Sequence, residues 1–121
     1  GGVAVLKGAG SIIASQAGAQ IQAGGNQGST GVPAASPVLL GICGHGNPGM
    51  ASAGMGDVLS GVVAGCLAQG LDPAAAAVMG TCLHSYAADL AAAETGQRSL
   101  LATDLLPQLI AALREQERAA K

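Results

Sequence analysis

The sequence has 121 residues, a length that fits one domain at most. Half of the residues are hydrophobic, yet Tyr86 is the only aromatic one, so the core has to be built from Ala, Val, Leu and Ile and buries little apolar area per residue. Five Lys and Arg against seven Asp and Glu give a formal net charge of −2, with no basic patch to grip nucleic acid. We therefore expect part of a larger core or a homo-oligomer, with a small molecule rather than nucleic acid as its partner.

The three cysteines, Cys43, Cys66 and Cys82, are odd in number and lack C-x-x-C spacing. Neither a disulfide framework nor a zinc site is expected from them. The N-terminus lacks the regions of a signal peptide, and the apolar runs near 58–69 and 73–93 are too short or too interrupted for membrane spans. We therefore expect a cytoplasmic protein that does not bind a membrane.

Short apolar segments near the N-terminus predict a small antiparallel β-meander. They are Gly2–Leu6, Ser11–Ala14 and Ala19–Ala23, separated by glycine-containing turns. Residues 24–45 are rich in Gly, Ser, Asn and Pro and are predicted as a loop insertion. Within that segment Val38–Cys43 is an isolated apolar run, and a strand is predicted there.

From Asp57 onwards the apolar residues follow a helical period, which predicts a first helix ending at Gly70. Gly61 and Gly65 are four residues apart, and we expect them to let a neighbouring element approach closely. One face of this helix carries Val58, Leu59, Val62, Val63, Cys66 and Leu67.

A second helix is predicted to begin with Asp72 as its N-cap and Pro73 in its first turn, and to stop at Gly96. A third begins near Asp104 as its cap, which leaves Pro107 in the first turn, where no N–H partner is lost. A small meander followed by about three helices has too few strands for a complete doubly wound fold. The order of elements instead predicts the C-terminal portion of an α/β protein.

The rest of the chain is organised around the glycine-rich stretch from Gly46 to Asp57, which leads directly into the first predicted helix. Glycine lets a ligand approach the backbone, and a helix start offers free N–H groups and the positive end of a dipole. This combination favours an anion, most often phosphate. We expect the N–H groups of Gly54, Met55 and Gly56 to form an anion hole for phosphoryl oxygens.

Asp57 stands at the mouth of this predicted anion hole and has two interpretations. It can be the N-cap of the helix, which is a purely structural role. It can also be a base that takes a proton from a hydroxyl nucleophile, because phosphoryl transfer needs an oriented carboxylate besides positioning and charge stabilisation. The local residues alone leave both open.

A second candidate is the lysine that ends the first predicted strand and the glycine turn after it. An ammonium and backbone N–H groups at such a turn can lie near a nucleotide phosphate. In isolation, an exposed lysine at a strand end is the favoured alternative. The segment comprises Lys7, Gly8, Ala9, Gly10 and Ser11.

The two histidines are expected to have ordinary roles. His45 is predicted to be an exposed loop residue beside the candidate site, and His84 a packed, hydrogen-bonded residue in the second helix rather than a ligand. No cluster of His, Asp and Glu has metal-ligand spacing, so we predict no metal ligand from the protein. A Mg²⁺ ion would be held largely by substrate phosphates and water.

Three blocks taken together resemble the NAD(P)H-hydrate dehydratases of the ribokinase-like superfamily: Lys7–Ser11, Gly46–Ala51 and Gly54–Gly61. The likeness covers nearly the whole chain except 24–45. The second and third blocks in combination are specific, whereas G-x-G-D alone would admit any ribokinase-like kinase. The resemblance implies that residues 1–121 are the C-terminal part of a three-layer α/β/α sandwich, whose N-terminal half carries much of the hydrated-cofactor pocket.

The resemblance implies an enzyme that dehydrates S-NADHX or S-NADPHX to NADH or NADPH. In this family a nucleotide phosphorylates the hydroxyl of the hydrated ring, and phosphate is then eliminated. ADP is expected, because the alanine-rich chain is more similar to bacterial members than to the eukaryotic ones that use ATP; Mg²⁺ would accompany the nucleotide. An NAD(P)HX epimerase, as a domain or a separate partner, would accompany the activity.

The resemblance also assigns roles to individual residues. Asp57 would contact the hydrated nicotinamide and act as base towards its hydroxyl, and Asn47 would line the nucleotide site. The nucleotide phosphates and ribose would be bound by Lys7, Gly8, Ala9, Gly10, Ser11 and Gly56. Two alternatives stay open: a ribokinase-like kinase of a small molecule such as a vitamin precursor, and a fragment that is inactive alone.

Overall fold

Three short strands form one sheet. In the computed structural model, which describes residues 3–7, 11–16 and 37–120, the strands are β1 (Val3–Leu6), β2 (Ser11–Gln16) and β3 (Pro37–Cys43). Their order is β1-β2-β3 and both pairs are antiparallel. The β-branched residues of these segments suit a pleated surface. The predicted antiparallel pairing of the first two of these segments is confirmed.

The third strand of this sheet is the apolar run inside the predicted insertion. It pairs with β2, from Ser11 opposite Cys43 to Gln16 opposite Pro37. The predicted strand at 19–23 lies outside the described residues, as does the stretch 24–36 of the predicted insertion, which stays a prediction.

Because of the register of the sheet, the end of β1, the start of β2 and the end of β3 lie at the same end of the sheet. Leu6 pairs with Ile12, so Lys7 follows the last paired residue of β1, while Ser11 begins β2 opposite the end of β3 at Cys43. The chain that leaves β3 therefore starts from the same end of the sheet as Lys7. This is the chain that enters the glycine-rich stretch.

Three α-helices follow: α1 (Met55–Ala68), α2 (Pro73–Thr95) and α3 (Leu105–Ala119). A short 3-10 turn at 48–51 precedes α1, and two more, at 97–99 and 102–104, lie between α2 and α3. The predicted cap of the second helix is confirmed, because the Asp72 carboxylate accepts from the N–H of Ala75 at 2.8 Å and Pro73 opens the helix. The predicted ends at Gly70 and Gly96 are also confirmed.

The start of α1 differs from prediction, whereas the start of α3 agrees with it. α1 begins at Met55, with Gly54 rather than Asp57 as its N-cap. Asp104 is the N-cap residue of α3, as predicted, although its carboxylate accepts from the N–H of Leu101 at 2.8 Å and not from an N–H of α3. Pro107 falls in the first turn of α3 as predicted.

α2 is the central element, because it packs against the sheet, α1 and α3. Its small residues let neighbours approach from several sides. The close approach between α1 and α2 occurs at Gly80, where a Cβ would lie 2.8 Å from Cγ2 of Val63. Nothing in the described part of the chain lies within 4 Å of a Cβ built on Gly61 or Gly65, so the prediction for these two glycines is wrong there.

α3 is amphipathic and covers the other side of α2. Leu105 and Leu109 are buried against it, whereas Leu106, Ile110 and Leu113 are 50%, 53% and 46% exposed. None of the helices within the described ranges is long and apolar enough to cross a membrane.

The three cysteines are free thiols. Cys43 and Cys66 are buried, as expected of small apolar residues. Burial, together with the neighbouring Cys43 thiol, raises the pKa of Cys82 to about 11. Since the thiolate is the reactive form, Cys82 is an unreactive residue at neutral pH.

Candidate active site

The turn that opens α1 has the geometry of an anion site. Gly54 adopts the left-handed conformation, with φ of +86°, and no side chain caps the helix. A Cβ on Gly54 would also lie only 3.2 Å from the Cβ of Ala102, so glycine is required here for conformation and for space. The N–H groups of the first turn, from Met55 to Asp57, therefore point outwards without a side-chain cap and at the positive end of the dipole.

Asp57 is the third residue of α1 and is exposed. The interpretation of Asp57 as N-cap is wrong, because Gly54 occupies that position. Within the described ranges, no hydrogen bond to the Asp57 carboxylate is formed, so this carboxylate faces solvent beside the anion turn. Its position in the first turn is favourable for a negative charge. The interpretation of Asp57 as a base stays a prediction.

Lys7 lies against this turn. Its Nζ would be 3.8 Å from a Cβ placed on Gly56, although the two residues are far apart in sequence. The structure thus brings together two of the predicted nucleotide-binding residues, one from the sheet end and one from the helix start. Ser11 is buried at the start of β2, and Gly8, Ala9 and Gly10 lie outside the described residues.

The buried His84 side chain of α2 forms a hydrogen bond to the turn. It is 1% exposed, and its Nε2 donates to the carbonyl oxygen of Met55 at 3.1 Å. A ring nitrogen that faces a carbonyl oxygen has to carry the proton, which fixes the tautomer. Burial and then the charge of Lys7 lower the pKa of His84, against the hydrogen bond to Met55, which raises it. The predicted packed, hydrogen-bonded histidine is confirmed.

The carboxylate of Asp89 in α2 accepts hydrogen bonds from the loop that precedes the turn, a role that the sequence did not predict. One carboxylate oxygen accepts from the N–H of Gly46 at 3.0 Å, and the other accepts from Nδ2 of Asn47 at 2.9 Å. The amide oxygen of Asn47 in turn accepts from the N–H of Gly49 at 3.0 Å. The available signal was a charged residue in a helix otherwise rich in alanine, one turn or so beyond His84.

The same loop packs closely on the turn after α2. A Cβ on Gly49 would lie 2.5 Å from the carbonyl oxygen of Gln97, a distance no side chain tolerates. His45 is an exposed loop residue, as predicted, with its Nδ1 3.7 Å from the Asp89 carboxylate and its ring edge-on to Tyr86. The loop is therefore fixed from two sides.

An open cleft of about 610 Å³ adjoins the loop. It lies between the loop and the turns after α2, and Arg98 is the cation among its lining residues. The wall also includes Pro48, Gly49, Ser52, Gln97 and Ser99. Within the part of the chain that the structure describes, no three His, Cys, Asp or Glu side chains are grouped so that they could hold a metal ion.

The antiparallel sheet, the central α2 and the glycine turn at the start of α1 define an α/β protein whose fold is that of part of a ribokinase-like domain. The sequence model of the NAD(P)H-hydrate dehydratase family matches residues 1–111. The chain belongs to the NAD(P)H-hydrate dehydratase family.

Bifunctional NAD(P)H-hydrate repair enzymes from several organisms are similar in sequence. The enzyme of Vibrio cholerae is 47% identical over 109 residues, which is 90% of this chain and 18% of the relative. That of Coxiella burnetii is 45% identical over 108 residues, or 89% and 18%. That of Leishmania braziliensis is 37% identical over 116 residues, or 90% and 17%. The chain thus spans less than a fifth of the length of these relatives.

Proposed function

We propose that the protein containing this chain dehydrates S-NADHX or S-NADPHX to NADH or NADPH at the expense of a nucleotide. The observation that carries the proposal is the placement of Lys7 against the turn from Gly54 to Asp57. This placement combines an ammonium, open N–H groups and a free carboxylate at one point of the surface. Membership of the NAD(P)H-hydrate dehydratase family supports the same substrate.

In the proposed site the terminal phosphates of the nucleotide lie on the N–H groups of Gly54, Met55 and Gly56, beside the Lys7 ammonium. These donors are fixed before the nucleotide arrives, so they stabilise developing charge on the phosphoryl oxygens without reorganisation. Ser11 and the residues at 8–10 would complete the contacts to the phosphates and ribose. Mg²⁺ would neutralise phosphate charge, held by phosphate oxygens and water rather than by a cluster of protein ligands.

Asp57 is the proposed base. It takes the proton of the ring hydroxyl, whose oxygen forms a bond to the terminal phosphorus while the bond to the leaving nucleoside phosphate breaks. In the second step the C–O bond breaks, phosphate departs, and loss of a ring proton restores the double bond of NADH or NADPH. Since Asp57 is exposed and free of a cap bond, it is available to the hydroxyl.

ADP is the proposed phosphoryl donor. The proposal follows from the resemblance to bacterial members, and it is in keeping with the greater identity to the Vibrio and Coxiella enzymes than to the Leishmania enzyme. Incubation of the full-length protein with S-NADHX and ADP should regenerate the absorbance of NADH and release inorganic phosphate. ATP replaces ADP in a parallel reaction, which identifies the donor.

The products distinguish the proposal from its alternatives. A stable phosphorylated compound without release of phosphate would identify a small-molecule kinase instead. A folded full-length protein that yields neither NADH nor phosphate would disprove the dehydratase. Since the relatives are bifunctional, we also propose an epimerase as the companion activity, which predicts that R-NADHX is consumed when the companion domain or partner is present.

A further inference from the structure

We infer that Asp89 is a positioning residue of the active site, acting through Asn47, and that Asn47 supports the loop instead of binding the nucleotide. The segment concerned is the loop from Gly46 to Met50, called the support loop below. The inference rests on the proposed function for its kinetic consequences. The chain of hydrogen bonds from α2 to the support loop, called the relay below, rests on the observed contacts alone.

The relay consists of three hydrogen bonds in sequence. The two oxygens of Asp89 accept from the N–H of Gly46 at 3.0 Å and from the Asn47 amide at 2.9 Å, and the Asn47 oxygen accepts from the N–H of Gly49 at 3.0 Å. All three bonds are partly buried, and two of them involve the ionised carboxylate, which strengthens them. One side chain of a helix thus fixes the start and the middle of the support loop.

The side chain of Asn47 has each of its two ends occupied by this relay. Its nitrogen is directed to Asp89 and its oxygen to the backbone of Gly49. A direct contact with a nucleotide would have to compete with these bonds. The predicted role of lining the nucleotide site is therefore replaced by a supporting role.

The position of the support loop matters because the anion turn follows it after three residues, 51–53. α2 supplies both anchors: Asp89 to the support loop and His84 to the carbonyl of Met55 in the turn. The distance between loop and turn is therefore set by one rigid helix. Displacement of a positioning group by about 1 Å can cost a catalyst on the order of 100-fold.

Two single substitutions break the relay in opposite ways. In Asp89→Asn the new amide can still accept from Gly46, but its NH₂ group then faces the NH₂ group of Asn47. In Asn47→Asp two carboxylates face each other. We expect each single variant of the full-length enzyme to lose about 10- to 100-fold in kcat/KM. Glu94→Gln, which removes an exposed carboxylate elsewhere on α2, is the matched control and should retain full activity.

The double substitution Asn47→Asp with Asp89→Asn restores all three bonds with the same net charge. The asparagine now at position 89 donates to the carboxylate at 47 and accepts from Gly46, while that carboxylate accepts from Gly49. We expect the double variant to recover most of the lost kcat/KM. Hydrogen exchange of the Gly46 and Gly49 amides, measured without substrate, should be fast in the single variants and slow again in the double variant.

Three results would overturn the inference. Folded single variants with wild-type kcat/KM and slow amide exchange would show that the relay positions nothing. A double variant that regains slow exchange but binds ADP poorly would show that Asn47 touches the nucleotide, because a carboxylate there repels phosphate. A double variant without restored exchange would refute the geometry. If the wild-type enzyme has no dehydratase activity, the proposed function is disproved. Hydrogen exchange of the Gly46 and Gly49 amides still tests the relay in that case, because it is measured without substrate.

Discussion

The two glycine-rich segments of the candidate site are neighbours in sequence and are held in opposite ways. In the support loop, the N–H groups of Gly46 and Gly49 and the side-chain amide of Asn47 are hydrogen-bonded within the protein, and Gly49 lies against Gln97. In the anion turn, from Gly54 to Asp57, no side chain caps the helix. The support loop is hydrogen-bonded to Asp89 and within itself, whereas the anion turn offers its N–H groups to solvent or a ligand.

The comparison distinguishes a segment that supports the site from a segment that can bind a ligand. A segment whose side-chain amide and several N–H groups are already hydrogen-bonded has fewer groups left for a ligand, whereas uncapped donors at a helix start bind an anion readily. Substitutions in the support loop should therefore act on stability and position. Substitutions at Asp57 and Lys7 should act on binding and rate, with little effect on stability.

The largest expected effect is that of Asp57→Asn on the chemical step. The amide cannot take a proton, so kcat should fall by about 10²- to 10⁴-fold while ADP binding is retained. Steady-state kinetics and calorimetric titration of ADP on the same preparation measure the two quantities. Asp72→Asn, at the remote cap of α2, controls for the loss of a helix-end carboxylate. An unchanged kcat in Asp57→Asn would show that this carboxylate is not the base.

The next effect is a loss of stability in the support loop. In Gly49→Ala the added Cβ meets a backbone oxygen at 2.5 Å, and relieving such overpacking costs about 1–3 kcal/mol. Urea unfolding of the full-length protein should show this decrease in the free energy of unfolding. Gly61→Ala is the matched control: it has open space around it within the described residues, so it should stabilise the helix by roughly 0.5–1 kcal/mol. Equal effects of both substitutions would refute the close packing at Gly49.

A third prediction concerns the charge of Lys7 beside the anion turn. In Lys7→Met the ammonium is lost, and the affinity for ADP should fall by about tenfold, since a charge-assisted hydrogen bond contributes about 1.5–3 kcal/mol when well placed and less when exposed. The loss should shrink as salt is added, because salt screens the lysine in the wild type. Calorimetric titration at two salt concentrations tests it. Arg114→Met, which removes a cation from the exposed part of α3, should leave affinity unchanged.

The anion turn was predictable because its signal is local. Glycines before an apolar helical pattern define a helix start, and the structure places that start at Gly54 and Met55. The sequence could not decide between cap and base for Asp57, because a difference of a few residues in the helix boundary changes its role. The boundary is set by the left-handed conformation of Gly54, which sequence does not display.

The support of the site was not predictable because it depends on tertiary contacts. Asp89 accepts a hydrogen bond from Gly46, 43 residues away, and a charged residue in an alanine-rich helix does not show which loop it will contact. The prediction for Gly61 and Gly65 failed for the same reason: spacing shows that a close approach is allowed, whereas packing decides that it occurs at Gly80. Local sequence signals thus predicted the glycine turn near the start of α1, whereas only the fold revealed the contacts that hold the preceding loop.

The smallest expected effect is a pH dependence of stability that comes from the anchor of the anion turn. Burial and the charge of Lys7 lower the pKa of His84 below its ordinary value of 6.5. The unfolded chain therefore binds a proton at a higher pH than the folded chain does, so stability is lost as the pH falls below about 6.5. Above that range both states are neutral, and His84 makes no pH-dependent contribution.

His84→Gln isolates this contribution, because the glutamine amide can still donate to the carbonyl of Met55 but does not titrate. The free energy of unfolding of the wild type should decrease more between about pH 7.5 and 5.5 than that of the variant. His45→Gln is the control, since its ring is 57% exposed and its removal should leave the slope nearly unchanged. Equal slopes for wild type and His84→Gln would mean that burial and the charge of Lys7 do not lower the pKa of His84, because a protonated ring could still donate to the Met55 carbonyl.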